Sequence, residues 1–359
     1  MAEARAGLVV ALQANYCWVE LDQPLPGGSS GLPVRRLLCT RRTRLGKTGQ
    51  TICVGDRVQV DGIDGAAARA AVASREPRHS LLQRPAVANV SKVVVVASLA
   101  EPALDPLQLT RFLLTAEATG QPVQLVLSKA DRLTSGELQA WQQRLRGWGY
   151  EPLLTSSCTG VGLDALRATL SEPGIAVLCG PSGVGKSSLL NGLRPELELR
   201  VAAVSGRLQR GRHTTRHVEL FALAPGALLA DTPGFNRPEL PTDPAVLASL
   251  FPELRQRLAQ DRCRYANCLH QGDPGCAAGS DWDRFDHYQQ CLEAVLAEAS
   301  REPLHNSERG AGLKQRGHRT EPRLDQRLRQ LSRRRLRQQV ELDEPEPLSP
   351  PGLADSDHR

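Results

Sequence analysis

Residues 180 to 187 read GPSGVGKS, a spacing of glycine, lysine and serine that is typical of phosphate-binding loops. The apolar run IAVLC precedes this segment and helix-like sequence follows it. Glycines allow backbone N–H groups to turn toward phosphates, whereas a chance glycine-rich turn is the alternative interpretation. Lys186 can neutralise the β and γ phosphates, and the Ser187 hydroxyl can bind Mg²⁺. The predicted nucleotide contacts are Gly180, Pro181, Ser182, Gly183, Val184, Gly185, Lys186, Ser187 and Ser188.

A second phosphate-side motif, DTPG, follows the apolar run GALLA at residues 231 to 234. An aspartate at the end of a strand can hold Mg²⁺, and a glycine N–H can meet the γ-phosphate. Asp231 and Gly234 are therefore candidate catalytic residues, together with Lys186. Such a short motif is common by chance. It supports a nucleotide site only in combination with the other motifs.

Two upstream segments can select the base of the nucleotide. In LVLSKAD, a strand-like run ends at Ser128, Lys129 and Asp131. A carboxylate can accept hydrogen bonds from both N1–H and N2–H₂ of guanine, which adenine cannot supply, and the stem of Lys129 can cover the base. In TSSCTG, a backbone N–H near Ser156 and Ser157 can meet the guanine oxygen. Together the two segments predict a guanine nucleotide.

The order of these motifs along the chain is unusual. The base-reading segments at 128–131 and 155–158 come before the phosphate loop at 180–187 and the motif at 231–234. In ordinary GTPases the phosphate loop comes first, but a sheet tolerates the change because neighbouring strands need not be consecutive in sequence. The segment beside the γ-phosphate then continues directly into the C-terminal part of the chain, which loss of that phosphate could reposition.

A group of three cysteines and one histidine has the spacing of a metal site. Cys263, Cys268, His270 and Cys276 form the pattern Cys-x₄-Cys-x-His-x₅-Cys. Three thiolates and one imidazole suit a closed tetrahedral zinc site, whose role is structural because no position is left open. Four unrelated residues in a loop are the alternative. We predict one structural Zn²⁺.

Patterns along the chain predict several domains. Residues 1–86 contain short strand-like runs between turn residues, which favours an all-β barrel. Residues 87–240 alternate apolar strands and helices, which indicates a parallel α/β sheet. Residues 241–300 are helical and contain the zinc motif, and residues 301–359 form a tail that is first basic and then acidic, without expected structure in isolation.

Composition and charge narrow the class of protein. The chain has 359 residues and a net charge of +6. Ten Lys or Arg lie between positions 314 and 337, a basic segment that suits nucleic acid or is merely a solvated tail. The nine cysteines, an odd number without a secretion signal, argue against a disulfide framework. Five of them are expected to be scattered interior residues: Cys17, Cys39, Cys53, Cys158 and Cys179. We expect a cytoplasmic protein with no membrane span, and nothing points beyond a monomer.

The permuted motif order, GPSGVGKSSLLN, GRHTTR at 211–216 and DTPGF together resemble the RsgA (YjeQ) family of circularly permuted GTPases over nearly the whole chain. The resemblance implies an N-terminal OB-like barrel, a permuted P-loop GTPase domain and a helical zinc-binding domain. It also implies GTP and Mg²⁺ as substrate and cofactor. The implied partners are the small ribosomal subunit and its rRNA, with hydrolysis timing late subunit maturation and release.

The resemblance also suggests residue roles in the GRHTTR segment. Thr214 and Thr215 lie on the implied switch loop, and Thr215 is our candidate for the one that reaches Mg²⁺ and the γ-phosphate. His213 is a candidate for orienting water, and a switch-loop histidine without a catalytic role is the alternative. Where Ras-like proteins place a water-orienting Gln, this chain has Phe235, so we expect slow hydrolysis that a partner accelerates. The family's usual Asn, which would brace the phosphate loop and contact the edge of the base, is Ser128 here. From this shorter residue we expect weaker binding of guanine, although Asp131 keeps the main discrimination.

Two other functions fit parts of the sequence. A small-molecule kinase would use the phosphate loop, but the base-reading segments and flanking basic regions argue against it. An RNA-binding protein with a degenerate nucleotide site would fit Ser128, whereas intact Lys186, Ser187 and Asp231 argue otherwise.

Overall fold

A computed structural model describes residues 4–13, 15–26, 33–41, 51–83, 86–193, 218–231, 238–310, 313–316 and 319–322. It confirms the predicted fold class: an N-terminal barrel, a central permuted α/β domain and C-terminal helices that carry the Cys/His cluster.

The N-terminal barrel consists of five strands. These are β1 (Arg5–Gln13), β2 (Tyr16–Leu25), β3 (Val34–Arg41), β4 (Arg57–Asp64) and β5 (Arg69–Arg75). They pair in the order β1-β2-β3-β5-β4, and the β1–β4 pairing closes the barrel. Alternate side chains point inward, as the strand period requires. The interior residues include Val9, Val19, Leu37, Val58 and Val72.

The hairpin of β6 (Leu81–Gln83) and β7 (Ala86–Ala88) connects the barrel to the α/β domain. In that domain β8 (Val90–Ser98), α1 (Pro106–Glu117), β9 (Val123–Ser128), α2 (Ser135–Gly147) and β10 (Leu153–Leu154) alternate. They are followed by α3 (Leu163–Leu170), β11 (Gly174–Cys179), α4 (Lys186–Leu193), β12 (Glu219–Ala224) and β13 (Ala227–Asp231). Local signals start the helices: Asp105 caps α1 ahead of Pro106, and Thr134 with Glu137 forms a capping box on α2.

The sheet of this domain has the order β10-β9-β8-β11-β13-β12. All neighbouring pairs are parallel except β12–β13. Helices cover both faces, which explains why β8 reads as a continuous apolar run. β12 also pairs with β1 of the barrel, at Glu219 and Ala11, so one 11-stranded sheet runs through both domains.

The C-terminal helices are α5 (Pro244–Leu247), α6 (Pro252–Gln260) and α7 (Phe285–Gly310). A core of buried apolar residues joins them to Leu114 of α1. Its largest members include Phe251, Leu254, Tyr288 and Leu292. The metal loop between α6 and α7 is therefore attached to a hydrophobic core.

Residues 297–359 form a second unit. Within it, β14 (Leu313–Arg316) and β15 (Arg319–Pro322) make an antiparallel hairpin. Among the described helices, none is both long and apolar enough to cross a membrane.

Candidate functional site

The predicted nucleotide motifs meet at one edge of the parallel sheet. β9 ends at Ser128, β11 at Cys179 and β13 at Asp231, and β10 ends at Leu154 just before the TSSCTG segment. Because these strands are parallel, their carboxyl ends lie on the same edge. In open α/β sheets ligands bind at that edge. The sheet thus brings together segments that are up to about a hundred residues apart.

The phosphate loop has the backbone that its glycines predict. Gly180 has φ +139°, and a Cβ there would lie 2.1 Å from the carbonyl oxygen of Val96, so no other residue fits without movement. Gly183 and Gly185 also have positive φ, at +82° and +90°. Lys186 lies back over the loop, with Nζ donating to the oxygens of Gly180 at 2.8 Å and Pro181 at 2.7 Å. The ammonium group therefore lies against the concave backbone that a phosphate would enter.

Ser128 braces the phosphate loop in spite of its short side chain. The residue is 2% exposed, and its hydroxyl lies 2.6 Å from the carbonyl oxygen of Val184 and 3.1 Å from that of Ala97. The single O–H can donate to either oxygen. Ser128 therefore contacts the phosphate loop, as we expected of the longer Asn. Its shorter side chain extends less far toward the position of the base.

Lys129 lies across the same loop. Its backbone has φ +57°, which turns the side chain back from the end of β9. Nζ donates to the oxygen of Gly183 at 3.1 Å and also to the oxygen of Glu101. Its Cε is 3.9 Å from the position that a Cβ of Gly185 would take. The aliphatic stem is therefore placed beside the loop, as the covering role requires.

Asp131 lies beside a second residue of the predicted site. The Ser156 hydroxyl next to it lowers the pKa of Asp131 below its usual range. Ser156 is fully buried, and its oxygen accepts from the backbone N–H groups of Cys158 at 3.2 Å and Thr159 at 3.1 Å. The Asp131 side chain remains 20% exposed and can still be reached by a ligand. Sequence reasoning placed Ser156 in the site but missed the effect of its hydroxyl on Asp131, for which no motif exists.

The remaining candidates fall on different parts of the chain. Ser187 is in the first turn of α4 and partly buried, and Ser157 is exposed. The backbone of Asp231 ends β13, whereas His213, Thr215 and Gly234 lie outside the described residues. The expectation that Cys158 is an interior residue is wrong, because it is exposed in the base-reading loop.

The four predicted metal ligands are brought together. One ligand atom from each of Cys263, Cys268, His270 and Cys276 lies within 4.8 Å of the others. His270 Nδ1 is 3.4 Å from Cys263 Sγ and 3.7 Å from Cys276 Sγ. Burial lowers the pKa of His270 below its usual range, which favours the neutral imidazole that binds metal.

Backbone N–H groups support the same cluster. The N–H of His270 donates to Cys268 Sγ at 3.4 Å, and that of Ala277 donates to Cys263 Sγ at 3.3 Å. The hydroxyl of Tyr288 on α7 donates to the oxygen of Leu269 at 2.7 Å and ties the loop to the helical core. Three sulfurs and one nitrogen in this arrangement fit a tetrahedral Zn²⁺ site.

Comparison with known proteins gives a consistent result. The family model described as RsgA GTPase matches residues 75–241. A protein of Synechococcus sp. (strain CC9605) named "Small ribosomal subunit biogenesis GTPase RsgA" is 58% identical over 298 residues, covering 82% of this chain and 96% of that relative. A protein of the same name from Thermosynechococcus vestitus is 47% identical over 338 residues, covering 93% and 95%.

Solved structures give the same picture. The crystal structure of YjeQ from Thermotoga maritima matches with a TM-score of 0.66 and 26% identity, covering 82% of this chain and 99% of that one. YloQ, described as a circularly permuted GTPase, matches with a TM-score of 0.63 and 26% identity, covering 82% and 96%.

Proposed function

Because this chain belongs to the RsgA GTPase family, we propose that it is a GTPase of small ribosomal subunit biogenesis that binds the subunit and its rRNA. GTP holds the bound arrangement, and hydrolysis to GDP and phosphate times late maturation and release. The observation that carries this proposal is the junction of the base-reading segment with the phosphate loop, where the Ser128 hydroxyl lies 2.6 Å from the oxygen of Val184 and Lys129 Nζ donates to that of Gly183. It supports guanine selection, which neither a small-molecule kinase nor a degenerate nucleotide site requires.

The site residues divide the work between base and phosphates. Asp131 accepts the guanine N–H groups, Lys129 covers the base and Ser128 braces the phosphate loop. Lys186 and the backbone of residues 180–188 bind the phosphates. Mg²⁺, when bound, neutralises developing charge on the phosphates, and the residues that would hold it are Ser187, Thr215 and Asp231. We assign Gly234 to the γ-phosphate and His213 to orientation of water.

The Cys/His cluster would hold one structural Zn²⁺, which stabilises the loop between α6 and α7 when bound. The activity belongs in the cytoplasm, where ribosomal subunits assemble, and the protein acts there as a monomer. In this proposal the barrel, the metal loop and the basic segment at residues 314–337 each contribute contacts to rRNA.

The experiment that tests this function is GTP hydrolysis by the purified protein with and without small ribosomal subunits, with ATP as the control nucleotide. We expect slow hydrolysis by the protein alone and at least about tenfold stimulation by subunits, because a partner that completes a GTPase site typically contributes much more than that. Equal use of ATP, or no effect of subunits, would contradict the proposal. Phosphate transfer to an acceptor other than water would favour a kinase instead.

The metal loop presents an aromatic and basic surface suited to rRNA. Tyr265 is 57% exposed, and the guanidinium carbon of Arg264 lies 5.7 Å from the centre of its ring. Arg262 is also exposed. An aromatic face beside arginines can stack an unpaired base while the charges contact phosphates.

Replacing Tyr265 with Ala should therefore weaken subunit binding about fivefold or more, because stacking of one base contributes roughly 1–3 kcal/mol. The measurement is binding of the GTP-loaded protein to small subunits at fixed salt. Val246→Ala, at another exposed apolar residue of the C-terminal helices, is the matched control and should bind normally. Unchanged binding by the Tyr265 variant would remove this surface from the proposal.

A further inference from the structure

Arg284 is a fully buried arginine between the metal loop and α7. Its guanidinium forms a bidentate ion pair with Glu253 on α6, in which Nε donates to Oε1 at 2.6 Å and Nη2 donates to Oε2. Removing two charges from water is costly, and a buried pair of this kind often adds little net stability compared with apolar residues. The pair is therefore weak evidence for a role in stability alone.

The guanidinium of Arg284 joins the C-terminal helices to the α/β domain through aromatic rings. Its carbon lies 4.6 Å from the centre of the Trp148 ring and 4.7 Å from that of Phe251. Trp148 caps the C-terminal end of α2, whereas Phe251 immediately precedes α6. Cation–π attraction is strongest where water is excluded. The planar group thus binds one ring from each region.

Neighbouring contacts fasten the same turn of the α/β domain. The indole Nε1 of Trp148 donates to Asp283 at 2.6 Å, and Arg144 on α2 forms a bidentate pair with that carboxylate at 2.6 and 2.9 Å. Gly149 has φ +89°, and a Cβ there would lie 2.7 Å from Cβ of Pro252 on α6. The turn and the start of α6 are therefore in close contact.

This turn leads directly into the strand that precedes the base-reading loop. β10 has two residues, stands at the end of the sheet order and pairs with β9 through Leu153 and Leu154. Because each ladder hydrogen bond contributes only about 1 kcal/mol net, the segments on both sides of so short a strand help to hold it. Thr155 follows β10 directly, its N–H donates to the oxygen of Leu127 at 2.8 Å, and its own carbonyl oxygen accepts from the N–H of Ala130, next to Asp131, at 3.1 Å.

We propose that Arg284 is a positioning residue for guanine recognition. It anchors the turn before β10, and so holds Thr155 against the segment that carries Asp131, in the geometry that distinguishes guanine. Docking of the C-terminal helices and binding of guanine then favour each other by the same factor, as linkage requires. The inference rests on the proposed role of Asp131 in reading the base.

The test compares the affinities of GDP and inosine diphosphate for the full-length protein and its variants. Inosine lacks the 2-amino group, so the ratio of the two affinities reports on the hydrogen bond from that group to Asp131. In the double variant Arg284→Met with Glu253→Gln, the second change removes the carboxylate charge that would otherwise be left buried alone. We expect the affinity for GDP to fall about tenfold, within the usual range of coupling between sites, and that for inosine diphosphate to fall less.

A second variant, Arg284→Lys, keeps the charge opposite Glu253 but loses the planar fork and most of its stacking. This variant should lose GDP preference to a smaller degree. It shows whether the loss also occurs when a positive charge still lies opposite Glu253. A role in stability alone would lower both affinities equally and leave their ratio unchanged.

The matched control is Arg146→Met, which removes an exposed ion pair with Glu151 that spans the same turn from the solvent side. Surface pairs of this kind contribute little, so its GDP preference should be normal. An unchanged ratio in both folded Arg284 variants would overturn the inference while leaving the proposed function intact. Failure of the unsubstituted protein to prefer GDP would instead remove the proposed function itself.

Discussion

Replacing Asp131 with Asn is expected to weaken GDP binding by at least about a hundredfold, because hydrogen bonds to charged groups are worth roughly 1.5–3 kcal/mol each and two are affected. The ionised carboxylate offers only acceptors, whereas the amide turns one of them into a donor. Guanine presents N1–H and N2–H₂ on this edge, so a donor from the protein has no partner there.

The same substitution should improve binding of xanthosine diphosphate. Xanthine carries a carbonyl oxygen where guanine carries the 2-amino group, so the new amide N–H can donate to it while the amide oxygen accepts from N1–H. Equilibrium binding of both nucleotides to each protein is the measurement. An exchange of preference would show that Asp131 contacts the base, which loss of GDP binding alone would not show.

Asp164→Asn is the matched control for this experiment. Asp164 is an exposed aspartate in the first turn of α3 whose partner is Arg167 at 2.6 Å. The control should bind GDP as the unsubstituted protein does. If Asp131→Asn also retained GDP binding, the assignment of the base-reading site would be wrong even though the phosphate loop remained in place.

Replacing Cys268 with Ser is expected to lower zinc affinity roughly a hundredfold or more, since structural zinc sites contribute about 10–16 kcal/mol in total through four ligands. A serine hydroxyl does not replace a thiolate at neutral pH. Zinc content after dialysis against a chelator, and protease cleavage between residues 261 and 281, are the two measurements.

We expect the damage to be centred on the metal loop. Phe251, Leu254 and Tyr288 form a buried core beneath the loop, so α6 and the first turns of α7 should persist when the metal is lost. Cys291→Ala is the matched control, because Cys291 is buried in that core and lies outside the ligand cluster. Full zinc content in the Cys268 variant would reject the metal site, whereas zinc loss in both variants would indicate general unfolding.

These experiments address features that differ in how directly the sequence predicts them. The phosphate loop was predictable because its chemistry is local: glycines at 180, 183 and 185 adopt positive φ, and Lys186 folds back over the same few residues. The Cys/His cluster was predictable for the same reason, since all four ligands lie within one short loop. In both cases residue type and spacing already impose the geometry.

The fold class was predictable from the spacing of apolar residues along the sequence, because that spacing depends on whether one or both faces of a strand are buried. Periodicity did not reveal that the barrel and the α/β domain share a sheet. They do so because β1 pairs with β12. Pairing between strands separated by about two hundred residues leaves no mark in local pattern.

Contacts between distant segments were decided by the tertiary structure. The hydroxyl of Ser128 contacts Val184, 56 residues later in the chain, because β9 ends at the same sheet edge as the phosphate loop; the weaker guanine binding expected from Ser128 stays a prediction. Thr155 contacts Ala130, next to Asp131, across a similar junction. Arg284 and Glu253 gave no signal as a charged pair, since only packing against Trp148 and Phe251 removes them from water. The sequence by itself determined which chemical groups this protein carries and the local turns that present them, whereas the sheet and the buried interfaces decided which of those groups act together.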